Sequence, residues 1–133
     1  PEAERAFTAA RRLAPENANY AFNFGNLLLR LGRLAEARTQ FASAVSRQPA
    51  FSEARGNLGA VLLELREPAA ARREFEALIA LAPHLASAHL GLGEALYQLG
   101  EHTAARAAYG RALDLEPNFA AARTALKRLD ASP

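Results

Sequence analysis

The chain has 133 residues, of which 50% are apolar and 23% charged, enough to bury a sizeable core in one compact unit. Its 16 basic and 14 acidic residues give an ordinary net charge of +2, and the absence of Cys excludes disulfides and thiolate metal sites. Its apolar stretches are far shorter than the ~18 residues that span a bilayer. Val45, Val61 and Ile79 are its only β-branched aliphatic residues, too few to supply strands. Because the chain begins at Pro1 rather than Met, we expect it to be part of a longer protein.

Apolar residues recur at three- and four-residue steps along the chain, which predicts amphipathic helices. Phe24 and Leu28 form one stripe, Leu34 and Phe41 form a second, and Gly32 separates them, which makes an αα-hairpin. We expect eight helices, near residues 2–13, 18–31, 34–47, 52–65, 68–81, 86–99, 102–115 and 120–130. Candidate N-caps are Ser52, Ser87 and Asn118.

Four prolines, Pro15, Pro49, Pro83 and Pro117, lie 34 residues apart, and each would end a helix at a fixed point because Pro cannot continue one. Aromatic, small and aliphatic positions keep the same period. These series are Phe7, Phe41, Phe75 and Tyr109; Ala3, Ala37, Ala71 and Ala105; Gly25, Gly59 and Gly93; Phe24, Leu58 and Leu92; Leu28, Leu62 and Leu96. A period of this length predicts an array of stacked helix pairs.

The spacing of Leu58-Gly59, Leu62, Ala71, Phe75 and Pro83 resembles the tetratricopeptide repeat, and the resemblance covers essentially the whole chain. It implies an all-α fold, a right-handed superhelix of antiparallel helix hairpins, in a single array over residues 1–133. The expected units are a half repeat at 1–17, full repeats at 18–51, 52–85 and 86–119, and a C-terminal capping helix at 120–133. The departures from the family pattern are Ala21, Arg55 and His89 at an aromatic position, Leu78 at a small one and Arg66 at the turn glycine.

In this family the first helix of each pair lines a concave surface, so the resemblance implies a peptide-binding groove on that face. By position, its residues are Asn19, Phe22, Asn23, Asn26, Arg30, Glu53, Asn57, Leu63, Glu64, Ser87, Leu90, Glu94, Tyr97, Gln98 and Arg128. We therefore expect a scaffold or adaptor that binds a peptide or helix segment of another protein. Two structural alternatives stay open: Asn23 and Asn57 are merely solvated, or Phe22 and Tyr97 belong partly to the core.

The groove positions suggest a ligand chemistry. A side-chain amide both donates and accepts, so Asn23 and Asn57, at the same repeat position, can grip a peptide backbone. Apolar anchors would come from Phe22, Leu63, Leu90 and Tyr97. Acidic groups would come from Glu53, Glu64 and Glu94. We expect a ligand with apolar anchors and at least one basic residue. The carboxylate clamp known in this family is not expected, because its cation positions hold Phe22, Ser87 and Gly91.

Other functions rank lower. The three histidines, His84, His89 and His102, show no metal-ligand or catalytic spacing, so we expect no enzyme, cofactor or metal. The clusters Arg11-Arg12 and Arg72-Arg73 are interleaved with acidic residues, which argues against nucleic-acid binding. End-to-end self-association is the main rival to groove binding, and attachment to a larger enzyme such as a transferase is another. We expect no membrane insertion and a cytoplasmic location, with the periplasm as the alternative.

Overall fold

The computed structural model describes residues 2–5 and 17–131, and all regular structure within them is helical. Residues 2–5 are helical; the rest of the helix predicted at 2–13 lies outside the described residues. The other helices are α1 (Ala18–Arg30), α2 (Leu34–Arg47), α3 (Ser52–Glu64), α4 (Pro68–Leu81), α5 (Ala86–Gln98), α6 (His102–Leu115) and α7 (Ala120–Ala131). Each bound lies within one residue of its prediction.

Successive helices pack against each other in chain order, so that the molecule is a stack of antiparallel pairs. Contacts also join α3 to α5 and α5 to α7, which brings the first helices of successive pairs side by side along one face. Because each pair contacts mainly its neighbours, the stack grows in one direction. The all-α solenoid predicted from the repeat is confirmed.

The turn inside each pair uses a residue with a left-handed backbone. Gly32, Arg66 and Gly100 have φ values of 76°, 60° and 80°. After the C-cap residue Leu31, two amide groups donate back to carbonyl oxygens of the last turn of α1, Gly32 to Leu29 at 3.0 Å and Arg33 to Leu28 at 2.9 Å. The same pattern follows α3, so the departure from glycine at Arg66 leaves the turn unchanged, although a side chain at positive φ costs about 1–2 kcal/mol.

The prolines predict the observed helix ends better than the candidate polar N-caps predict the observed helix starts. Gln48, just before Pro49, has φ −139° and ψ 85°, which leaves the helical region as predicted. Ser52 and Ser87 are wrong as N-caps, because they lie inside the first turns of α3 and α5. Instead, the Asn17 side chain caps α1 by accepting a hydrogen bond from the Asn19 amide at 2.8 Å.

Two of the residues that replace the family's early aromatic, Arg55 and His89, share one interaction, and Arg123 makes the same interaction in α7. In these three residues the side chain bonds the carbonyl oxygen of the proline six residues earlier, which lies in the connection before the helix. The bonds are Arg55 Nε to Pro49 at 2.8 Å, His89 Nε2 to Pro83 at 3.1 Å and Arg123 Nη2 to Pro117 at 2.8 Å. His89 is therefore a partly exposed residue that joins its helix to the preceding loop by a hydrogen bond.

The buried core runs between the helix layers, and large aromatic rings lie directly over glycine backbones. A Cβ added at Gly25 would stand 2.7 Å from the Phe41 ring, and one at Gly93 would stand 2.5 Å from the Tyr109 ring. Since Phe41 and Tyr109 are fully buried, these rings fix the distance between the two helices of a pair.

Candidate functional site

The aligned first helices leave an open cavity of about 550 Å³ on their shared face. Its walls are mostly apolar, and acidic side chains lie among them. The lining residues are Phe22, Ser52, Glu53, Gly56, Asn57, Ala60, Leu63, Phe75, Leu78, Leu85, Ser87, Leu90, Gly91 and Glu94. A concave, mainly apolar site with a few polar groups is the usual form of a ligand-binding site.

The cavity gathers part of the predicted groove. Seven of the predicted residues line it, namely Phe22, Glu53, Asn57, Leu63, Ser87, Leu90 and Glu94. Asn19, Asn23, Arg30 and Glu64 are exposed and do not line it. Asn26, Tyr97, Gln98 and Arg128 also lie outside it and interact with other parts of the protein.

Asn57 and Asn26 are bonded to each other across neighbouring helix pairs. The Asn57 Nδ2 donates to Asn26 Oδ1 at 2.8 Å, in a partly buried position. One donor of the amide that was expected to grip a ligand backbone is therefore used inside the protein. Asn23, at the same repeat position as Asn57, stays exposed.

The carboxylate of Glu94 is the centre of a hydrogen-bonded group at one end of the cavity. The Tyr109 hydroxyl donates to Glu94 Oε1 at 2.8 Å, and Arg128 Nη2 donates to the same oxygen at 3.0 Å. Burial of the Tyr109 ring, with its bond to Glu94, raises the pKa of that hydroxyl above its ordinary value. Because Arg128 balances the charge of Glu94, the acidity of the cavity rests mainly on Glu53.

Two further predicted groove residues also contact the protein itself. The Tyr97 ring stacks on the His102 ring with centroids 5.1 Å apart. The Arg128 guanidinium lies 4.0 Å from the centroid of the Tyr97 ring. Gln98 Nε2 donates to the carbonyl oxygen of Leu63 at 3.2 Å, at the end of α3. These contacts favour an internal role for Tyr97 and Gln98 over direct contact with a ligand.

The sequence-based list of site residues lacked seven residues of the lining, namely Ser52, Gly56, Ala60, Phe75, Leu78, Leu85 and Gly91. Phe75 and Leu78 belong to a second helix and are almost fully buried, and they reach the cavity beside Gly56 and Gly91, which carry no side chain. The available signal was Gly56 itself, which stands at the repeat position of Phe22 and Leu90.

Other kinds of site find little support. Within residues 2–5 and 17–131, no group of three or more His, Cys, Asp or Glu side chains could hold a metal ion. Arg72 forms ion pairs with Glu76 at 3.3 Å and with Glu101 at 3.2 Å, so this cluster is not a bare basic surface; Arg11-Arg12 lies outside the described residues. None of the described helices has both the length and the apolarity to cross a membrane.

Stacked antiparallel helix pairs with one open, concave face define the class of α-solenoid repeat proteins. Within this class, the chain belongs to the tetratricopeptide repeat family, because the family model described as Tetratricopeptide repeat matches residues 1–52, 22–85 and 57–133. These overlapping matches span the whole sequence.

Solved structures with this architecture include MamA, with a TM-score of 0.91 at 25% identity over 96% of this chain and 74% of MamA. YrrB, described as a TPR protein with an unusual peptide-binding site, has a TM-score of 0.89 at 25% identity over 95% of this chain and 65% of YrrB. The Arabidopsis OM64 TPR domain has a TM-score of 0.81 at 25% identity over 85% of this chain and 93% of that domain. A search of curated proteins gave no match. Family and fold together support a role in protein–protein interaction.

Proposed function

We propose that this chain is an interaction scaffold that binds a peptide or helix segment of a partner protein on its concave face. The observation that carries the proposal is the open cavity of about 550 Å³ between the first helices, with apolar walls and Glu53 among them. YrrB, whose structure is described by its peptide-binding site, has the same architecture. A preformed wall of rigid helices lets a segment bind without reorganising the scaffold, which lowers the entropic cost of binding.

The ligand chemistry follows from the walls. Phe22, Leu63 and Leu90 are partly exposed apolar residues that can cover apolar side chains of a bound segment. The exposed carboxylate of Glu53 favours a basic residue in that segment. The predicted preference for apolar anchors with a basic residue is therefore kept, with Glu53 rather than Glu94 as the main acidic partner.

A display library of random 12-residue peptides tests this function. Selected peptides should bind the wild type and lose at least about tenfold in affinity for Ser87→Arg, which places a bulky cation at an exposed edge of the cavity. The matched control is Ala121→Arg, at the same repeat position on α7 but outside the cavity. Equal losses in both variants, or none in either, would refute groove binding.

Self-association through the ends of the array is the competing function. Sedimentation over a range of concentrations measures it directly. If the wild type and Ser87→Arg assemble equally and no peptide is selected from the library, stacking of array ends would replace groove binding as the function. The cytoplasmic location and the attachment to a larger enzyme stay predictions.

A further inference from the structure

The first full repeat shows how this fold packs an aromatic side chain on its concave face. The Phe22 ring lies 4.8 Å from the Phe51 ring and 6.0 Å from the Phe41 ring, in tilted arrangements at both contacts. Phe51 belongs to the connection before the next pair, and Phe41 belongs to the second helix of the same pair. Three rings thus fill the volume at this position of the array.

The next repeat has apolar surroundings at this position but lacks the central ring. Thirty-four residues further on, Leu85 stands for Phe51 and Phe75 stands for Phe41, but Gly56 stands for Phe22. Leu85 is 40% exposed, and all three residues line the cavity. In the third full repeat the central position is filled again, by Leu90.

Leu78 takes up part of the released space, because it replaces the Ala44 of the first repeat. Its Cδ2 would stand 3.4 Å from a Cβ added at Gly56, which is an ordinary contact. A branched aliphatic side chain is smaller than a phenyl ring, and the cavity remains open in front of it. The position therefore has an apolar floor, formed by the nearly buried Leu78 and Phe75, and open volume in front of it.

We propose that an aromatic side chain of the bound segment inserts over Gly56, against Leu85, Phe75 and Leu78, and takes the position that Phe22 holds one repeat earlier. The proposal of this subsite rests on the proposed groove function, and it names the ligand side chain that gives the groove its main specificity. Glu53 lies one helical turn before Gly56 and is exposed at the cavity, so the segment carries its basic residue beside the aromatic one. The occupant is a segment of another protein with an aromatic and a neighbouring basic side chain.

Two small probes test the subsite without a known partner. N-acetyl-phenylalaninamide should shift the backbone amide resonances of Gly56, Leu85 and Leu90 in a saturable way, and N-acetyl-alaninamide should not. Gly56→Phe should reduce the phenylalanine response at least about tenfold, the factor that follows from burying one large side chain. Gly56→Ala, which fits without a clash, should reduce it less.

Controls separate occupancy from folding. Gly110→Phe changes another helical glycine, one with open space around it and outside the cavity, and should leave the probe response unchanged. Circular dichroism melts identify a variant that fails to fold, in which case Gly56→Ala decides. Equal responses to both probes, or a response unaffected by Gly56→Phe and Gly56→Ala, would overturn the subsite.

The library peptides distinguish this subsite from the groove function. Selected peptides support both proposals if they are rich in aromatic residues and if both Ser87→Arg and Gly56→Phe lower their affinity. Peptides that are sensitive to Ser87→Arg but lack aromatic residues and tolerate Gly56→Phe would overturn the subsite alone. A saturable response to N-acetyl-phenylalaninamide without any selected peptide would support the subsite and count against the groove function.

Discussion

The ring of Phe75 lies over the backbone of Gly91, so close that a Cβ added at Gly91 would stand 2.2 Å from its Cε1. The same ring would stand 2.7 Å from a Cβ at Gly59. Phe75 is therefore held between the first helices of two successive pairs, and it joins two repeats by one side chain. This contact explains why the asparagine position of Asn23 and Asn57 is a glycine in the third full repeat.

Two glycine substitutions should have opposite effects on stability. Gly91→Ala should lower the free energy of unfolding by about 1–3 kcal/mol, because the buried Phe75 ring has to shift. Gly56→Ala should raise it by about 0.5–1 kcal/mol, because alanine favours the helix and its methyl group fits the open cavity. Urea unfolding of both variants measures the difference.

Gly110→Ala is the matched control for these glycines. Gly110 lies inside α6 with open space around its backbone. Its change to alanine should therefore raise the free energy of unfolding by about 0.5–1 kcal/mol through helix propensity alone. A Gly91→Ala protein as stable as Gly110→Ala would contradict the close contact with Phe75.

The arginine that replaces an aromatic residue in the second full repeat should matter for stability. Arg55 bonds the Pro49 carbonyl and pairs with Glu74 at 2.9 Å, with side chains only 17% and 20% exposed. Arg55→Ala should cost about 1–3 kcal/mol, since it leaves the Glu74 carboxylate partly buried without its cation. Arg123→Ala, which breaks the equivalent bond at an exposed position, should stay within about 0.5 kcal/mol. Equal losses from the two variants in thermal or urea unfolding would argue against a special role for the pair with Glu74.

Stability should fall at high pH because of Tyr109. Burial and the bond to Glu94 raise its pKa in the folded state, so the folded protein holds this proton more tightly than the unfolded chain. The resulting stability is complete below the unfolded pKa of about 10 and is lost as pH rises above it, by up to about 1.4 kcal/mol per pH unit.

Ultraviolet absorbance of tyrosinate should show one of the three tyrosines resisting ionisation until the protein unfolds. Tyr109→Phe should remove this resistant tyrosine and flatten the pH dependence. Full ionisation of all three tyrosines in the folded protein would show that the hydroxyl of Tyr109 is not held by Glu94.

Helix positions were accessible from the sequence because they depend on local signals. The prolines at one spacing fix the ends of α2, α4 and α6, and α1 to α7 each lie within one residue of their predicted ranges. The candidate site was less accessible. Tyr97 and Arg128 stand at groove positions by their repeat number, but they contact each other at 4.0 Å, and no local signal encodes a cation lying over a ring on another helix.

The sequence alone determined the helix pairs, their period and the face that each first helix turns outward, because these follow from short-range periodicity and from where a helix can continue. Only the tertiary structure decided which outward-facing side chains stay available. Arg128 reaches Glu94 at 3.0 Å and Asn57 reaches Asn26 at 2.8 Å across neighbouring pairs. Such outcomes depend on distances between residues about one repeat apart, and stacking of the pairs sets those distances.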